Sequence, residues 1–546
     1  MAITGRLAGV RDMVGTLRRA GLIAALRPDK YLRMVAAMRR ESLSPTSGFA
    51  SAARRCPNRP GLVDELGTLT WRQLDRRADA FGAALQALPG GAPRVLGIMC
   101  RNHRGFIEAL VAANRIGVDV LLLNTSFAGP AMAEVVRREV PDTVIYDEEF
   151  TATVDRALDG RPDVTRIIAW ADNPHPSEPT VENMIAAKTG QRPTPPGRKG
   201  KLILLTSGTT GTPKGASRSG GGPGELVAVL KRTPYRAEET TVLMAPMFHA
   251  WGWFQLVMAA TLACTIVTQR KFDPQATLAL IDRYRATGLS VVPAMFDRIM
   301  ELPEDVRNRY SCRSLRFAVA SGSRMRPDVV TAFMDQFGDV IYNNYNATEA
   351  GMIATATPAD LRAAPDTAGQ PAEGTEIRIL DADFRELPAR AVGQIYVSNT
   401  TGFEGYTSGT TKDFHDGFMA SGDMGYLDEA GRLYVVGRDD EMIVSGGENI
   451  YPIEVEKVLA AHPAVAEASV IGVDDQQFGQ RLAAFVVLEP GGGVTPDELK
   501  QHVRENLAGY KVPREITILD ELPRNITGKI VRSELQARAG GTEPSA

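Results

Sequence analysis

The chain of 546 residues is short of several things, and each shortage excludes something. Its four cysteines, Cys56, Cys100, Cys264 and Cys312, lie far apart, with no CxxC pair and no Cys/His cluster at metal spacing. This argues against a disulfide scaffold or a structural zinc and leaves reduced core thiols as the expectation. Net charge is also scarce, −3 from 62 basic and 65 acidic side chains, so nothing global points to a nucleic acid partner. There is no uninterrupted apolar run of about 18 residues and no evident secretory leader, so no spanning helix is expected and a cytoplasmic enzyme is the default. What is present is ordinary for a globular protein: 44% hydrophobic and 23% charged residues, in a length fit for roughly three or four compact units of about 150 residues.

Residues 1–40 stand apart. They carry nine basic side chains against two acidic ones, Asp12 and Asp29, while Leu17, Leu22, Ile23, Leu26, Leu32, Val35 and Met38 recur near helical spacing with Pro28 interrupting the run. Two readings stay open. One is an interfacial helix drawn to anionic lipid at the inner membrane face; the other is a pair of short helices packed on the main body with their arginines in water.

From about 60 to 190, helix-like stretches alternate with short apolar runs, "RVLGIMC", "GVDVLLLN", "DTVIYD" and "RIIAWA", and the pattern resumes after 240 with "TVLMAP", "CTIVTQ", "LSVVPA" and "LRFAVA". Fully apolar strands between amphipathic helices predict parallel sheets covered on both faces, an α/β fold. After about 370 the strands "EIRILD", "GQIYVS" and "RLYVVG" crowd together and predict a smaller β-rich unit, and residues from 441 onward read as a compact α+β domain. The tail "GGTEPSA" reads as disordered.

The strand "KLILL" runs into "TSGTTGTPKG" at 206–215. A Walker loop fails here, because Pro213 and Gly215 stand where Gly and Ser or Thr are required. The stretch is nonetheless dense in anion donors: Thr206, Ser207, Thr209 and Thr210 supply hydroxyls, Gly208 and Gly211 free the backbone to converge on a phosphate, and Lys214 adds charge. This string resembles the phosphate loop of the adenylate-forming (ANL) superfamily, which contains acyl-CoA synthetases, luciferases and carrier-protein adenylation domains; within it the chain resembles bacterial fatty acyl-CoA synthetases.

Three further stretches carry the resemblance in order. "YNNYNATEAG" at 342 is similar to the adenine and Mg²⁺ motif, which places Asn343 on the adenine edge, Tyr345 on its face, Thr348 at the α-phosphate and Glu349 on Mg²⁺, with Thr206 as a second metal contact. Asn346 departs from the usual glycine, and asparagine tolerates a left-handed turn there. "SGDMGYLDEAGRLYVVGRDDEMIVSGGENIYPIEVE" at 421 implies Asp423 on the ribose hydroxyls, Arg438 at ribose and phosphate, Asp440 as hinge, and Gly446 and Gly447 along the pantetheine path. "LPRNITGKIVRSEL" at 522 presents Lys529 as the lid lysine that binds substrate carboxylate and α-phosphate. The resemblance implies an adenylation domain over 41–439, beyond the 1–40 extension, and a mobile α+β lid over 440–546.

It also implies the chemistry: ATP and Mg²⁺ activate a small carboxylic acid as acyl-AMP, and coenzyme A then displaces AMP. Such a site works by positioning and charge neutralisation and needs no protein nucleophile. "MFHAWGWFQLVMAATLAC" at 247 corresponds to the acyl-pocket segment, with His249 near the carbonyl and Trp251, Trp253 and Phe254 behind it. No arginine, lysine or aspartate lies between His249 and Cys264, so an apolar acid is expected, a medium- or long-chain fatty acid first and an aryl acid second. Transfer to a carrier protein instead of coenzyme A is the alternative outcome, and a non-enzymatic nucleotide- or lipid-binding descendant is a further one.

Overall fold

The computed structural model describes residues 2–41, 44–125, 129–172, 179–206, 214–218, 223–399, 405, 411–438, 442–445, 448–475, 479–507, 509–525 and 528–539. The tail expected to be disordered, residues 540–546, lies outside these. The chain divides into two compact units, residues 1–366 with 372–375 and 399–411, and residues 367–371 with 376–398 and 412–546.

The first unit is built on two sheets. In one, the strands run in the order Gly351–Ala356, Ile341–Ala347, Phe317–Ser321, Gly288–Val291, Thr240–Leu243, Thr265–Val267, Pro60–Asp64 and Gly67–Thr70. All neighbours pair in parallel except the two outermost pairs, which are antiparallel. In the other sheet the order is Thr165–Trp170, Thr143–Asp147, Val95–Met99, Asp119–Leu122, Leu202–Thr206 and Lys214–Arg218, parallel except for the last pair. The apolar runs thus became parallel strands as expected. Every residue of Val95–Met99, Thr143–Asp147 and Phe317–Ser321 is buried, because both faces are covered. Fully enclosed side chains such as Phe81, Phe106, Phe296 and Phe333 contribute about 1.5–3 kcal/mol each to this core.

The N-terminal 40 residues form two helices, Ala2–Arg19 and Pro28–Arg40. Pro28 opens the second helix, where its missing N–H is not needed. The segment is held on the first unit: Thr16 and Ala20 are buried, the Ala237 N–H donates to Ala20 O (2.8 Å), and buried Arg55 donates to Gly21 O (2.7 Å). Among the described residues no helix is long and apolar enough to cross a membrane.

The second unit holds an antiparallel sheet of Glu376–Leu380, Gly393–Ser398, Phe418–Leu427, Phe414–His415 and Leu433–Arg438. It also holds an α+β body in which Val465–Asp475 and Gly479–Leu488 form a long hairpin joined in parallel by Glu515–Leu519. Alternation along that hairpin sorts two cores. Val470, Leu482 and Val486 pack with Val455, Leu459, Leu499 and Val503 of helices Pro452–Ala460 and Pro496–Asn506, while Ile471 and Phe485 pack with Leu522 and with Leu535 of helix Arg532–Ala539.

Candidate active site

In the first unit, the parallel strands Thr240–Leu243, Gly288–Val291, Phe317–Ser321 and Ile341–Ala347 all end along one edge, and the carboxyl edge of such a sheet is where α/β folds bind ligands. The turn leaving the first of these strands carries His249, the N-cap of helix Ala250–Thr261. Its ring makes no capping hydrogen bond. The turn is fixed from afar by Asn102, which is buried at the end of the other sheet's Val95–Met99 strand region. Asn102 Oδ1 accepts from the Met247 N–H (2.8 Å), and its Nδ2 donates to Ala245 O (3.0 Å) and Met244 O (3.4 Å). Gly252 makes the close fit possible, since a Cβ there would stand 2.1 Å from Pro246 O. Trp251 is buried and its indole donates to Val291 O (2.9 Å), and its ring stacks with Phe254 at 6.1 Å. Trp253 is also buried, but its Nε1 has no protein partner. Gln255 accepts from Tyr235 (2.9 Å) and Ser290 (3.0 Å), leaving its Nε2 without one.

Asn343 and Tyr345 lie half-buried on strand Ile341–Ala347, with Thr348 and buried Glu349 on the tip that leads to strand Gly351–Ala356. Their mutual placement follows from the hairpin: Ala347 pairs with Gly351, so the tip has three residues. The left-handed residue expected at Asn346 is not there. Asn346 stays in the strand beside a register shift, its Nδ2 donates to Ser321 Oγ (3.3 Å), and Gly351 takes the positive φ of +67° instead. A three-residue hairpin ends on one left-handed residue, and glycine occupies that position at lowest cost. Asn346 Oδ1 is buried with no protein partner.

Of the hydroxyl-rich loop, Thr206 closes one strand and Lys214 opens the next, paired in antiparallel register. Ser207, Gly208, Thr209, Thr210 and Gly211 lie outside the described residues.

In the second unit, Asp423 and Arg438 are direct register partners on adjacent antiparallel strands, with Arg438 Nη1 at 3.5 Å from Asp423 Oδ1. The Asp423 N–H donates to Ser421 Oγ (3.1 Å). Gly422 takes a φ of +85°, and a Cβ there would sit tight against Lys412 Nζ (3.2 Å) and Arg438 Nη2 (3.4 Å). Lys412, which donates to Ser421 O (3.1 Å), is a second cation beside Gly422, and no motif marked it. Lys529 is half-buried on a turn whose shape Asn525 sets: Asn525 Oδ1 accepts from the Lys529 N–H (3.0 Å), the Asn525 N–H donates to Lys529 O (2.8 Å), and Gly528 takes φ +79°. Asp440, Gly446 and Gly447 lie outside the described residues.

One cluster is completed only by the fold. Cys100, His103 and Asp147, all buried, come together with ligand atoms within 4.8 Å. The hydrogen bonds close it to a metal. His103 Nδ1 accepts from the Gly105 N–H (3.0 Å) as the N-cap of helix Arg104–Arg115, so Nε2 carries the proton and donates to Asp147 Oδ1 (2.7 Å). Burial holds the Cys100 thiol well above its ordinary pKa, so it offers no thiolate.

Residues 49–407 match the AMP-binding enzyme family, and residues 454–529 match the AMP-binding enzyme C-terminal domain. The chain belongs to this family. The chain is 30% identical to a feruloyl-CoA synthase from Amycolatopsis over 89% of its length and 97% of the relative's. It is 32% identical to a 2-succinylbenzoate–CoA ligase from Geobacillus kaustophilus (89% and 96%) and 28% identical to a fatty acid–[acyl-carrier-protein] ligase from Streptomyces coeruleorubidus (92% and 97%). Among solved structures it resembles the o-succinylbenzoate CoA synthetase of Bacillus subtilis in complex with an acyl-adenylate, at TM-score 0.76 and 27% identity over 90% of this chain and 97% of that one.

An AMP-binding enzyme of this kind is an ATP-dependent acid–CoA ligase that uses ATP, Mg²⁺ and coenzyme A. The donor chemistry here fits them. Glu349 is a buried carboxylate on a hairpin tip, an oxygen ligand suited to a hard cation. The Asp423 carboxylate could accept from paired hydroxyls, and Arg438 beside it suits a phosphate oxygen.

Proposed function

We propose that this chain joins an uncharged-bodied aryl acid to coenzyme A through an acyl-adenylate. The observation that carries the substrate class is the helix start Ala250–Thr261: aromatic, without a charged side chain, and with the indole N–H of Trp253 buried and unpartnered. An unpaired buried polar atom costs about 1–3 kcal/mol, recovered when a ligand supplies the partner. Trp253 Nε1 and Asn346 Oδ1 suit the hydroxyl or carbonyl substituents that aryl acids carry and plain alkyl chains lack. The feruloyl- and succinylbenzoate-CoA relatives support the same class. A medium- or long-chain fatty acid is the second reading, supported by the charge-free segment from His249 to Cys264 and by the fatty acid–[acyl-carrier-protein] ligase relative.

In the first half-reaction a carboxylate oxygen attacks the α-phosphorus of ATP, and the bond to the β-phosphate oxygen breaks to release pyrophosphate. Lys529 and Thr348 hold the α-phosphate oxygens, Lys214 and the hydroxyls of Thr206, Ser207, Thr209 and Thr210 hold the β- and γ-phosphates, Tyr345 and Asn343 hold adenine, and Asp423 and Arg438 hold the ribose side. Glu349 and Thr206 would hold Mg²⁺, which would supply charge neutralisation for the leaving pyrophosphate. In the second half-reaction the coenzyme A thiolate attacks the acyl carbon beside His249, and the bond to AMP breaks. Residues 440–546 act as a lid turning at Asp440, which withdraws Lys529 and brings Gly446 and Gly447 to the pantetheine.

Pyrophosphate exchange over a panel of acids tests the class. Hydroxylated aryl acids are expected to exchange fastest, and Trp253→Phe is expected to lower kcat/KM for them about tenfold with little change for unsubstituted acids. Fastest exchange with long alkyl acids would replace the first reading by the second.

A further inference from the structure

Among the described residues, no packed element covers the outer face of helix Pro28–Arg40. Helix Pro28–Arg40 leans on the first unit through its inner side, where Lys30 Nζ donates to Arg55 O (3.1 Å). Its outer side carries Leu32 and Val35, 73% and 45% exposed. At 100° per residue, Arg39 falls between the two aliphatics, while Arg33, Ala36 and Arg40 lie on the side that lines a cavity with Arg54, Asp75 and Arg115 of the body. Ile23, 40% exposed, stands in the link before the helix. Among the described residues twelve large hydrophobic side chains are exposed, and five of them, Val10, Val14, Ile23, Leu32 and Val35, fall in the first 40 positions. Singly exposed aliphatics need no explanation, but a concentration of this kind marks an interaction surface.

The charge decides the occupant. From 27 to 40 there are five basic residues and one acid, Asp29, which Arg27 (3.0 Å) and Arg33 already hold. A second copy of the chain would bring like charge against like. An anionic bilayer would take both features, with aliphatic tips in the headgroup boundary and arginines on lipid phosphates. We propose that the outer face of helix Pro28–Arg40 docks this enzyme on an anionic membrane surface, while the inner face keeps the helix fixed to the body. The two readings open at the level of sequence, packing and lipid contact, belong to opposite faces of one helix.

The test is sedimentation of the full-length protein with phosphatidylcholine vesicles, with and without phosphatidylglycerol. Binding is expected only with phosphatidylglycerol, and it should be released by salt. Arg39→Gln is expected to weaken it about fivefold. Leu32→Glu/Val35→Glu is expected to weaken it at least about tenfold. Both variants change exposed side chains outside the proposed catalytic machinery, so turnover of a soluble acid without vesicles should stay at the wild-type level and certify the fold. The wild-type result stands by itself if a variant folds poorly. No binding to either vesicle, equal binding to both, or variants that bind like wild type would overturn the proposal. So would self-association that Leu32→Glu/Val35→Glu abolishes, which would assign the face to a second copy.

Discussion

The turn before helix Ala250–Thr261 and the ladder of Asp423 and Arg438 both hold polar groups in place, and they do so in opposite ways. The turn depends on Asn102, which reaches it across 142 to 145 residues of sequence. The ladder depends on strand register alone: Asp423 and Arg438 are fifteen residues apart and face each other because the strands between them make one hairpin. A site held by local pairing can lose a side chain and keep its shape. A site held by one buried amide loses shape and side chain together.

Substitutions can sharpen this contrast. The largest effect is expected at Lys529, whose turn is again locally made, by Asn525. Lys529→Ala should lower acid-dependent pyrophosphate exchange about 10²- to 10³-fold while sparing thioester formation from supplied acyl-adenylate. An equal loss in both halves would show that the lysine does not serve one half-reaction only. Asn102→Ala comes next: it leaves the buried Met247 N–H and two carbonyls short of a partner and should cost about 2–4 kcal/mol in a urea titration, with a raised KM for the acid. If stability fell and KM did not move, the turn would not shape the acid site.

Asp423→Asn should do the reverse, raising KM for ATP about tenfold with a urea midpoint near wild type, because the backbone ladder does not need the charge. Loss of stability of the Asn102 size would erase the distinction between the two regions. The smallest effect is expected in alkali. Burial pushes the thiols of Cys264 and Cys312 up to about 12 and that of Cys56 up to about 11, against an ordinary value of 9.0. The folded state therefore keeps protons that the unfolded chain releases, and stability should be full below about pH 9 and fall as pH rises through the folded values. Alkylation at pH 8 should be negligible before unfolding and involve all four cysteines after it.

The sequence by itself determined whatever depends on neighbours along the chain. The apolar runs at 95, 143, 241 and 317 had to be buried strands, since their lack of alternation leaves no face for water. The carboxylate at 423 and the arginine at 438 were legible for the same reason, being fixed by one hairpin and its glycines. The tertiary structure alone decided what distant strands bring together. Asn102 at the 244–249 turn, and Asp147 beside Cys100 and His103, leave no spacing to read, because each joins segments whose separation reflects sheet order and not chain order. The backbone at 346 was misjudged for a related reason: the left-handed residue of a hairpin is set by where the partner strand ends its pairing, and that put it at Gly351. Helix Pro28–Arg40 shows both limits at once. Its periodicity and charge were plain in the sequence, but which of its faces would turn to the body was settled only by the surface it met.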